Sequence, residues 1–405
     1  MTRTVRTLVV AGHGMAGHRL VAELRSLDAA GAWRVVVLGE EPHPAYDRVA
    51  LSSYLDGRSA ADLALAGPGS HDPLLELRLN TGVAAVDRAA HTVTTTAGDV
   101  VAYDALVLAT GSRPFVPPVP GHDLPGCFGY RSLGDLDAIR AAAVPGRPGV
   151  VIGGGLLGLE AANALRLLGM EPHVVELAPR LMPLQVDAAG GGVLGRRVAR
   201  RGLRIHCGVA TAAITAGPDG RVASVVLADG SSLAADVVVF SAGVRPRDEL
   251  AGPAGLARGE RGGFLVDELC RTQDERIWAI GECAAVSGRC HGLAAPGYRM
   301  ATSVARQLLG LGGEPFGEAD LSTRLKLLGV EVASFGDAHA AAAGAVELSR
   351  LDEAAGTYAK LVLDADCRTL LGGILVGDAR AYGELRPYVG LGLPAAGHRL
   401  LAGTA

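Results

Sequence analysis

The apolar residues of this chain lie in short continuous runs, and one arrangement of these runs occurs twice. From residue 7 to residue 40, an apolar run leads into a glycine turn, a stretch with apolar residues three and four positions apart, and a second apolar run. The same order returns between residues 149 and 176. Continuous apolar runs are typical of parallel strands covered on both faces, and the wider spacing is typical of a helix. Each stretch is therefore predicted to be a βαβ unit, and the two form an internal repeat.

Further apolar runs complete the predicted fold. The runs 103–109 and 235–240 each lead to a glycine and are expected to complete the two sheets. Alternating segments at 92–96 and 222–227 are expected to be antiparallel hairpins inserted before them. Helices are expected at 159–168 and after Tyr298, and a Gly/Pro-bearing linker at 310–317 precedes a small mixed segment. The predicted class is α/β, with two Rossmann-like dinucleotide-binding domains plus a small α+β C-terminal domain. The predicted boundaries are 1–117 with 236–312 for a discontinuous first domain, 118–235 for the second, and 313–405 for a C-terminal interface domain.

Composition agrees with this organisation and argues against several classes of function. The length of 405 residues suits two or three domains, and 49% hydrophobic residues suffice for a large core. The net charge of -4 and the lack of a basic stretch argue against a nucleic-acid partner. The basic start at 1–7 leads directly into a strand, and no apolar run reaches the roughly 18 residues of a membrane span. We therefore expect a soluble, cytoplasmic protein without a signal peptide and without a membrane partner.

The six cysteines of the chain are scattered, and none forms a Cys-x-x-Cys pair. Cys283 and Cys290 are the closest, with six residues between them. A disulfide or a metal role for these two is the minor alternative, and buried or inert thiols are the favoured interpretation. No metal site is predicted.

Each glycine turn has the spacing Gly-x-Gly-x-x-Gly. In such a turn the first glycine makes the bend, the second lets the backbone approach a pyrophosphate, and the third packs helix on strand. The phosphate charge then lies at the helix N-terminus, and an acid about 20 residues further on binds ribose hydroxyls. One isolated match could be only a turn, but two in this context indicate two dinucleotide sites. The glycines are Gly12, Gly14 and Gly17, then Gly153, Gly155 and Gly158, and the acids are Glu40 and Glu176.

Two acids and one arginine refine the predicted cofactors. A carboxylate at Glu176 bonds an adenosine 2′-hydroxyl and repels a 2′-phosphate, which favours NADH over NADPH. Arg180 could partly offset this preference, although a solvated surface arginine is the other interpretation. Glu282 ends a short apolar strand and is expected to bond the ribityl or ribose hydroxyls of a flavin nucleotide, with a helix-cap acid as the alternative.

Several longer phrases resemble a known family. The chain is similar to pyridine-nucleotide-dependent FAD reductases with two dinucleotide-binding domains, and within them to the N-terminal flavoprotein portion of assimilatory NAD(P)H-nitrite reductase large subunits. The resemblance covers nearly the whole chain. Among the matching phrases are GHGMAGHR at 12–19, PAYDRVALSSY at 44–54, GGGLLGLEAA at 153–162, FSAGVRPRDEL at 240–250 and AIGECA at 279–284.

Carried over by position, the resemblance implies that FAD lies on the first turn and NADH on the second. Arg48 would touch the pyrophosphate, Glu282 would bond the ribityl chain, and Thr110 and Gly111 would lie against the cofactor. Glu160, the predicted catalytic residue, matches the acid near the flavin–nicotinamide contact, although a favourable acid in the first turn of a helix explains it equally well. The predicted cofactor-binding residues are Gly12, Gly14, Met15, Ala16, Gly17, Glu40, Arg48, Ala109, Thr110, Gly111, Gly281, Glu282, Gly153, Gly155, Leu156, Leu157, Gly158, Glu176 and Gly243.

The chain also departs from its relatives. Its cysteines do not supply the iron–sulfur spacing of nitrite reductase large subunits, so nitrite reduction by this chain alone is not expected. Ser52 and Ser53 stand where related thiol-dependent reductases place a reactive cysteine, which argues against disulfide or peroxide reduction. His13 occupies a place where relatives usually have Asn, and it either lies near the phosphates or serves in packing.

Three functions remain open from the sequence. The favoured one is an NAD(P)H-dependent FAD oxidoreductase that passes electrons from NADH to a separate acceptor protein of the nitrite- or nitrate-reductase, ferredoxin-like or oxygenase type. A stand-alone flavoenzyme that reduces a small molecule directly, such as oxygen, a nitrogen oxide or a biosynthetic intermediate, is the second. A non-catalytic FAD-binding redox sensor is the third. A homodimer is an open oligomeric state.

Overall fold

The computed structural model of the protein describes residues 5–67, 72–317 and 319–402. Its first strands are β1 (Arg6–Ala11), β2 (Trp33–Leu38), β3 (Leu75–Arg78), β4 (Val83–Asp87), β5 (Thr92–Thr95), β6 (Val100–Ala102), β7 (Ala105–Leu108), β8 (Ser112–Pro114), β9 (Cys127–Gly129), β10 (Pro148–Ile152), β11 (Glu171–Glu176) and β12 (Arg204–Cys207). The later strands are β13 (Thr211–Ala216), β14 (Val222–Leu227), β15 (Ser232–Ala234), β16 (Val237–Phe240), β17 (Val244–Pro246), β18 (Phe264–Val266), β19 (Ile277–Ala279), β20 (Ala284–Val286), β21 (Thr323–Leu327), β22 (Val330–Gly336), β23 (Val346–Asp352), β24 (Thr357–Leu363) and β25 (Leu370–Val376).

The helices connect these strands. They are α1 (Met15–Leu27), α2 (Ala60–Leu63), α3 (Leu133–Ala142), α4 (Leu156–Leu167), α5 (Ala188–Ala199), α6 (Ala294–Leu308), α7 (Tyr382–Leu385) and α8 (Ala395–Ala402), with 3-10 turns at Arg48–Tyr54, Gly281–Cys283 and Arg386–Tyr388. Across the described residues, no helix combines the length and the apolar character needed to cross a bilayer.

The chain divides into two compact units, and the first comprises Met1–Arg113 and Val244–Ala319. Its main sheet has the strand order β19-β7-β1-β2-β3, and every neighbouring pair is parallel. The predicted apolar runs form β1, β2 and β7, whose side chains are buried because α1 and α6 pack together beside this sheet. The predicted hairpin at residues 92–96 is β5, which pairs antiparallel with β4 and β6.

The second unit comprises Pro114–Gly243 and Asp320–Ala405. It contains a second parallel sheet, with the order β12-β11-β10-β16-β9, and the antiparallel strands β13, β14 and β15. Its C-terminal part is an antiparallel sheet of order β21-β22-β25-β24-β23 with the short helices α7 and α8. The predicted α/β class with two nucleotide-type sheets and a C-terminal domain is confirmed. The division into three domains at the predicted boundaries stays a prediction.

Two helices begin earlier than the sequence pattern predicts. Helix α4 begins at Leu156, inside the glycine turn, and not at residue 159. Helix α6 begins at Ala294 and not after Tyr298, and its first turn contains Pro296. Proline in a first helical turn loses no hydrogen bond, since the N–H groups there have no intrahelical acceptor.

Candidate functional site

The first glycine turn joins β1 to α1 as the spacing requires. Gly12 has φ of 112°, and a Cβ placed there would collide with the carbonyl oxygen of Ala109, which directly follows the neighbouring strand β7. A Cβ on Gly17 would collide with the carbonyl oxygen of Gly12, whereas one on Gly14 would meet no described residue within 4 Å. The first and third glycines are therefore needed for packing, and the second leaves an open backbone surface at the helix N-terminus.

The second turn repeats this division of roles. Gly153 has φ of 113°, and a Cβ there would collide with the carbonyl oxygen of Ser241. A Cβ on Gly158 would collide with the Gly153 carbonyl oxygen, and one on Gly155 would again be more than 4 Å from every residue that the structure describes. Both turns thus leave space at the glycine whose role is close approach to a pyrophosphate.

Within the described part of the chain, both helices that follow the turns begin without a side-chain cap or an acid in the first turn. The N–H groups of Met15 and Ala16 in α1, and of Leu156 and Leu157 in α4, precede the first intrahelical hydrogen bonds, which His18 N and Leu159 N donate. Free N–H groups and the positive dipole end favour an anion at this position. The open glycine and the uncapped N-terminus fit a dinucleotide pyrophosphate in each unit.

The acid at the end of the second strand is arranged differently in the two units. Glu176 ends β11, and its carboxylate accepts hydrogen bonds from Gly154 N at 2.6 Å and from Ala178 N at 2.7 Å. Strand register places Val175 beside Ile152 and, in the first unit, Leu38 beside Ala11. The counterpart of Glu176 is therefore Gly39. Glu40 lies one residue further on, and its exposed carboxylate forms an ion pair with Arg247.

His13 accounts for the glycine at position 39. A Cβ on Gly39 would lie 3.1 Å from the His13 Cβ, so the histidine uses the space that a strand-end side chain needs. The His13 ring meets His18 edge-on at 5.8 Å, and its Nδ1 is buried with no hydrogen-bond partner among the described residues. Burial, together with the neighbouring His18, lowers the pKa of His13 to about 4, so the ring is neutral at physiological pH. These contacts support a packing role for His13.

Arg48 belongs to a polar cluster beside the first unit's turn region. Its guanidinium forms an ion pair with Glu41, donates to the Tyr46 hydroxyl at 2.9 Å and stacks 4.7 Å from the Tyr46 ring centroid. The Tyr46 hydroxyl in turn donates to Glu41 at 2.7 Å. Sequence reasoning did not identify Tyr46 or Glu41 as the residues that orient this guanidinium.

The remaining residues predicted for the first site lie at the ends of β7 and β19. The Thr110 hydroxyl donates to the Arg247 carbonyl oxygen at 2.6 Å, and the Ser112 hydroxyl donates to Glu282 at 2.7 Å. A Cβ on Gly281 would lie 3.0 Å from the Cβ of Ala16, so the turn that carries Glu282 meets the beginning of α1. Glu282 is thus oriented by Ser112, which the sequence analysis missed.

Glu160 is not an acid of the first helical turn. Because α4 begins at Leu156, Glu160 lies in the second turn, and that alternative is wrong. Burial raises the pKa of Glu160 to about 7, and its Oε2 has no hydrogen-bond partner among the described residues. The hydroxyl of buried Tyr130 is likewise unpartnered within the described part of the chain, and burial and the Glu160 charge raise its pKa. An unpartnered buried carboxyl is typical of functional sites.

The Arg180 side chain contacts the stretch of chain that directly follows it. Its Nε donates to the Val186 carbonyl oxygen at 2.8 Å, and a Cβ on Gly191 would lie 2.9 Å from the Arg180 Cβ. Gly243, a further residue predicted to bind a cofactor, has φ of 112°, and a Cβ there would meet no described residue within 4 Å. The arginine therefore supports the segment's backbone.

The cysteines show no paired arrangement. All six are free thiols, and Cys283 and Cys270 are buried. Burial raises the pKa of Cys290, and also that of Cys270, to about 12. Within the described ranges, no group of three or more His, Cys, Asp or Glu side chains could hold a metal ion.

Two nucleotide-type sheets, each with an open glycine turn at an uncapped helix, fit two dinucleotides. The family that matches this chain uses FAD and NAD(P)H, and its members are oxidoreductases. The chain belongs to the pyridine nucleotide-disulphide oxidoreductase family, whose sequence profile matches residues 6–307. The profile of the rubredoxin NAD+ reductase C-terminal domain matches residues 322–390.

Named relatives agree with this assignment. The chain is 50% identical over 397 residues to the nitrite reductase [NAD(P)H] large subunit of Klebsiella oxytoca, covering 97% of this chain and 41% of that protein. It is 34% identical to the rubredoxin-NAD(+) reductase of Alcanivorax borkumensis, covering 75% and 78%. The ferredoxin reductase for the CYP199A2 system of Rhodopseudomonas palustris superimposes with a TM-score of 0.84 at 29% identity, covering 96% of both chains. The chain spans less than half the length of its nitrite reductase relatives.

Proposed function

We propose that this chain is an electron-input module: NADH delivers hydride to FAD, and the electrons then leave to a separate acceptor protein. Bound FAD supplies the carrier that accepts hydride from a nicotinamide and passes electrons on. The observation that carries the proposal is the pair of matched turns, in which Gly14 and Gly155 each leave backbone open at an uncapped helix.

Each unit has its own task in this proposal. In the first, the N–H groups after Gly14 bind the FAD pyrophosphate, Arg48 adds a positive charge, and Glu282 orients the ribityl chain from the end of β19. In the second, the N–H groups after Gly155 bind the NADH pyrophosphate, and Glu176 accepts from the adenosine ribose. Glu160, with its pKa raised to about 7, presents a carboxyl group that is largely neutral below that pH and so donates a hydrogen bond near the nicotinamide.

A protein acceptor is supported by the relatives. The names of the rubredoxin-NAD(+) reductase and of the ferredoxin reductase state protein acceptors, and the nitrite reductase large subunit is similar over nearly the whole chain. Ser52 and Ser53 stand where a thiol would be needed for disulfide chemistry. The acceptor is a nitrite- or nitrate-reductase-type, ferredoxin-like or oxygenase protein, and the setting is cytoplasmic, where NADH is available.

The acceptor is tested in two stages. Anaerobic NADH should bleach the flavin band of the purified protein, and an unchanged spectrum would contradict the proposal. Addition of oxidised ferredoxin, rubredoxin or the nitrite reductase small subunit should then restore the band in a concentration-dependent manner. Steady NADH oxidation with no added protein, at the same rate as with it, would instead assign a small-molecule acceptor.

NADH is the preferred nucleotide in this proposal because Glu176 faces the ribose and Arg180 is held by its own segment. The substitution Glu176→Ala should weaken NADH binding roughly tenfold and NADPH binding less, since the carboxylate repels a 2′-phosphate. Glu171→Ala changes an exposed acid of the same strand and serves as the control. An equal loss of affinity for both nucleotides would contradict the specificity role.

A further inference from the structure

The second unit contains a buried lysine at a distance from both glycine turns in the sequence. The chain has two lysines, and Lys326 is 75% exposed whereas the Lys360 side chain is 3% exposed in β24. Lys360 Nζ lies 3.1 Å from Asp187 and 3.2 Å from Glu347. A buried ammonium is costly unless it is paired and hydrogen-bonded, so these carboxylates are what stabilise it here.

Asp187 collects three donors. The Tyr358 hydroxyl donates to it at 2.7 Å, Gly190 N donates at 2.9 Å, and Lys360 adds its ammonium. Burial raises the pKa of Asp187, but these bonds outweigh burial and hold the pKa below its ordinary value. Asp187 is therefore a charged N-cap of α5 whose orientation is fixed by two side chains of β24.

Asp187 is also the last residue of the stretch of chain that begins at Glu176. We name residues 176–187 the nucleotide segment, because it runs from Glu176 to Asp187. Glu176 holds the beginning of this segment through Ala178 N, and Met182 N donates to the Gly154 carbonyl oxygen at 2.9 Å. The middle of the segment is therefore bonded directly to the second glycine turn.

The C-terminal sheet contacts the segment and the helix after it. His339 Nε2 lies 2.9 Å from the Leu184 carbonyl oxygen, in hydrogen-bond contact. A Cβ on Gly190 would lie 3.1 Å from the Tyr358 ring and 3.3 Å from Val376, so the first turn of α5 rests directly on β24 and β25. These contacts all fall within one compact unit of the chain.

We infer that Lys360 and Tyr358 are positioning residues for the nicotinamide nucleotide. By holding the Asp187 carboxylate they fix the far end of the nucleotide segment, whose near end is Glu176 and whose middle is bonded to the Gly154 turn. The C-terminal sheet thereby sets the geometry at which the adenosine half of the dinucleotide meets the second unit. The inference rests on the proposed function for the identity of that ligand.

The test uses the flavin-loaded protein with Tyr358→Phe and Lys360→Met. Tyr358→Phe removes one hydroxyl and keeps the ring against Gly190, so it is the less disruptive variant. We expect the dissociation constant for NAD+, measured by calorimetry, and the KM for NADH with ferricyanide to rise roughly three- to tenfold, because a bond to a charged group is lost. The kcat and the flavin content should stay at the wild-type level.

The control is Lys326→Met, which removes the exposed lysine of the same sheet and should leave every value unchanged. If Tyr358→Phe and Lys360→Met lower the melting temperature but leave the dissociation constant and KM at wild-type values, the two residues are only structural and the inference is overturned. If Lys360→Met does not fold, Tyr358→Phe and Asp187→Asn decide the question.

The outcome is separable from that of the proposed function. A wild-type protein that binds NAD+ but whose flavin is not bleached by NADH contradicts the proposed function, and the calorimetric comparison still decides the inference. A wild-type protein that binds no NAD+ overturns both.

Discussion

The two glycine turns are built alike but place their side chains in opposite positions. In the first unit the turn carries His13 and the facing strand ends in Gly39, whereas in the second the turn carries Gly154 and the strand ends in Glu176. A Cβ on Gly39 would lie 3.1 Å from His13, and one on Gly154 would lie 2.9 Å from the Glu176 Cβ. In both pairs a second side chain would require its neighbour to shift. The same fold therefore offers a neutral ring in one unit and a carboxylate in the other.

This difference between the His13–Gly39 and Gly154–Glu176 pairs changes the groups that each turn presents to a nucleotide. Glu176 is bonded to the turn backbone through Gly154 N, so its charge is fixed beside the second site. In the first unit the nearest acid, Glu40, is exposed and paired with Arg247. A preformed carboxylate can discriminate against a 2′-phosphate on a nucleotide that binds and dissociates in each catalytic cycle. The first unit has no need of that discrimination if its ligand stays bound.

The largest effect is expected at the first glycine of each turn. Gly12→Ala and Gly153→Ala each put a Cβ into a carbonyl oxygen at a positive φ, which costs on the order of 1–3 kcal/mol for the backbone alone. Gly12→Ala should therefore lower FAD retention about 10- to 100-fold, and Gly153→Ala should lower NAD+ affinity by a similar factor while FAD stays bound. Flavin absorbance after gel filtration and NAD+ calorimetry measure the two.

Gly195→Ala provides the matched control for these variants. Gly195 lies inside α5 and a Cβ there meets nothing within 4 Å. Alanine favours a helix over glycine by about 1 kcal/mol, so this variant should be slightly stabilised. Loss of FAD from Gly153→Ala, with NAD+ binding intact, would reverse the assignment of the two units.

An intermediate effect should come from substitutions in the His13–Gly39 pair. Gly39→Glu places a side chain against His13 and is expected to cost about 1–3 kcal/mol of stability through overpacking. The double variant His13→Gly with Gly39→Glu reproduces the arrangement of the second unit and should recover most of that loss. Denaturant unfolding of the four proteins gives the coupling energy, and additive effects of the two substitutions would rule out the steric exchange.

The smallest effect concerns pH. The Glu160 pKa is raised from 4.5 to about 7, so the folded state holds the proton more tightly and the stabilisation present below pH 4.5 is lost as pH rises to 7. The His13 pKa is lowered from 6.5 to about 4, so its contribution is present above pH 6.5 and lost as pH falls to 4. The two slopes have opposite signs.

Glu160→Gln should therefore remove a fall in unfolding free energy on the order of 1 kcal/mol across that pH window, since relaxation absorbs part of the shift. His13→Asn should remove a rise in unfolding free energy over a similar pH range. Urea midpoints from pH 4.5 to pH 7 measure both. Identical slopes in wild type and Glu160→Gln would show that the carboxyl titrates normally.

The sequence predicted the strands and turns well because each depends on local pattern. The apolar runs of β1 and β10 are buried on both faces, and the turn glycines have the packing that their spacing requires. Helix starts were less accurate, since nothing local distinguishes Pro296 as a first-turn residue from Pro296 as a breaker. The spacing from Gly17 to Glu40 could not reveal that Gly39, and not the acid, ends the strand.

The long-range contacts were beyond a sequence pattern. Lys360 is the only charged residue of β24, and its partner Asp187 is far away in the sequence. Ser112 orients Glu282 through a hydrogen bond. Arg247 accepts a hydrogen bond from Thr110 and forms an ion pair with Glu40. These contacts exist only once the chain has folded.

We propose that the first turn holds the flavin and that the second receives the nucleotide that reduces it. The decisive experiment is an anaerobic NADH titration of the flavin-loaded wild type and of Gly153→Ala. The wild-type flavin should bleach fully at stoichiometric NADH, whereas the Gly153→Ala protein should stay yellow until NADH is in large excess. Bleaching of both proteins at the same NADH concentration would contradict this proposal.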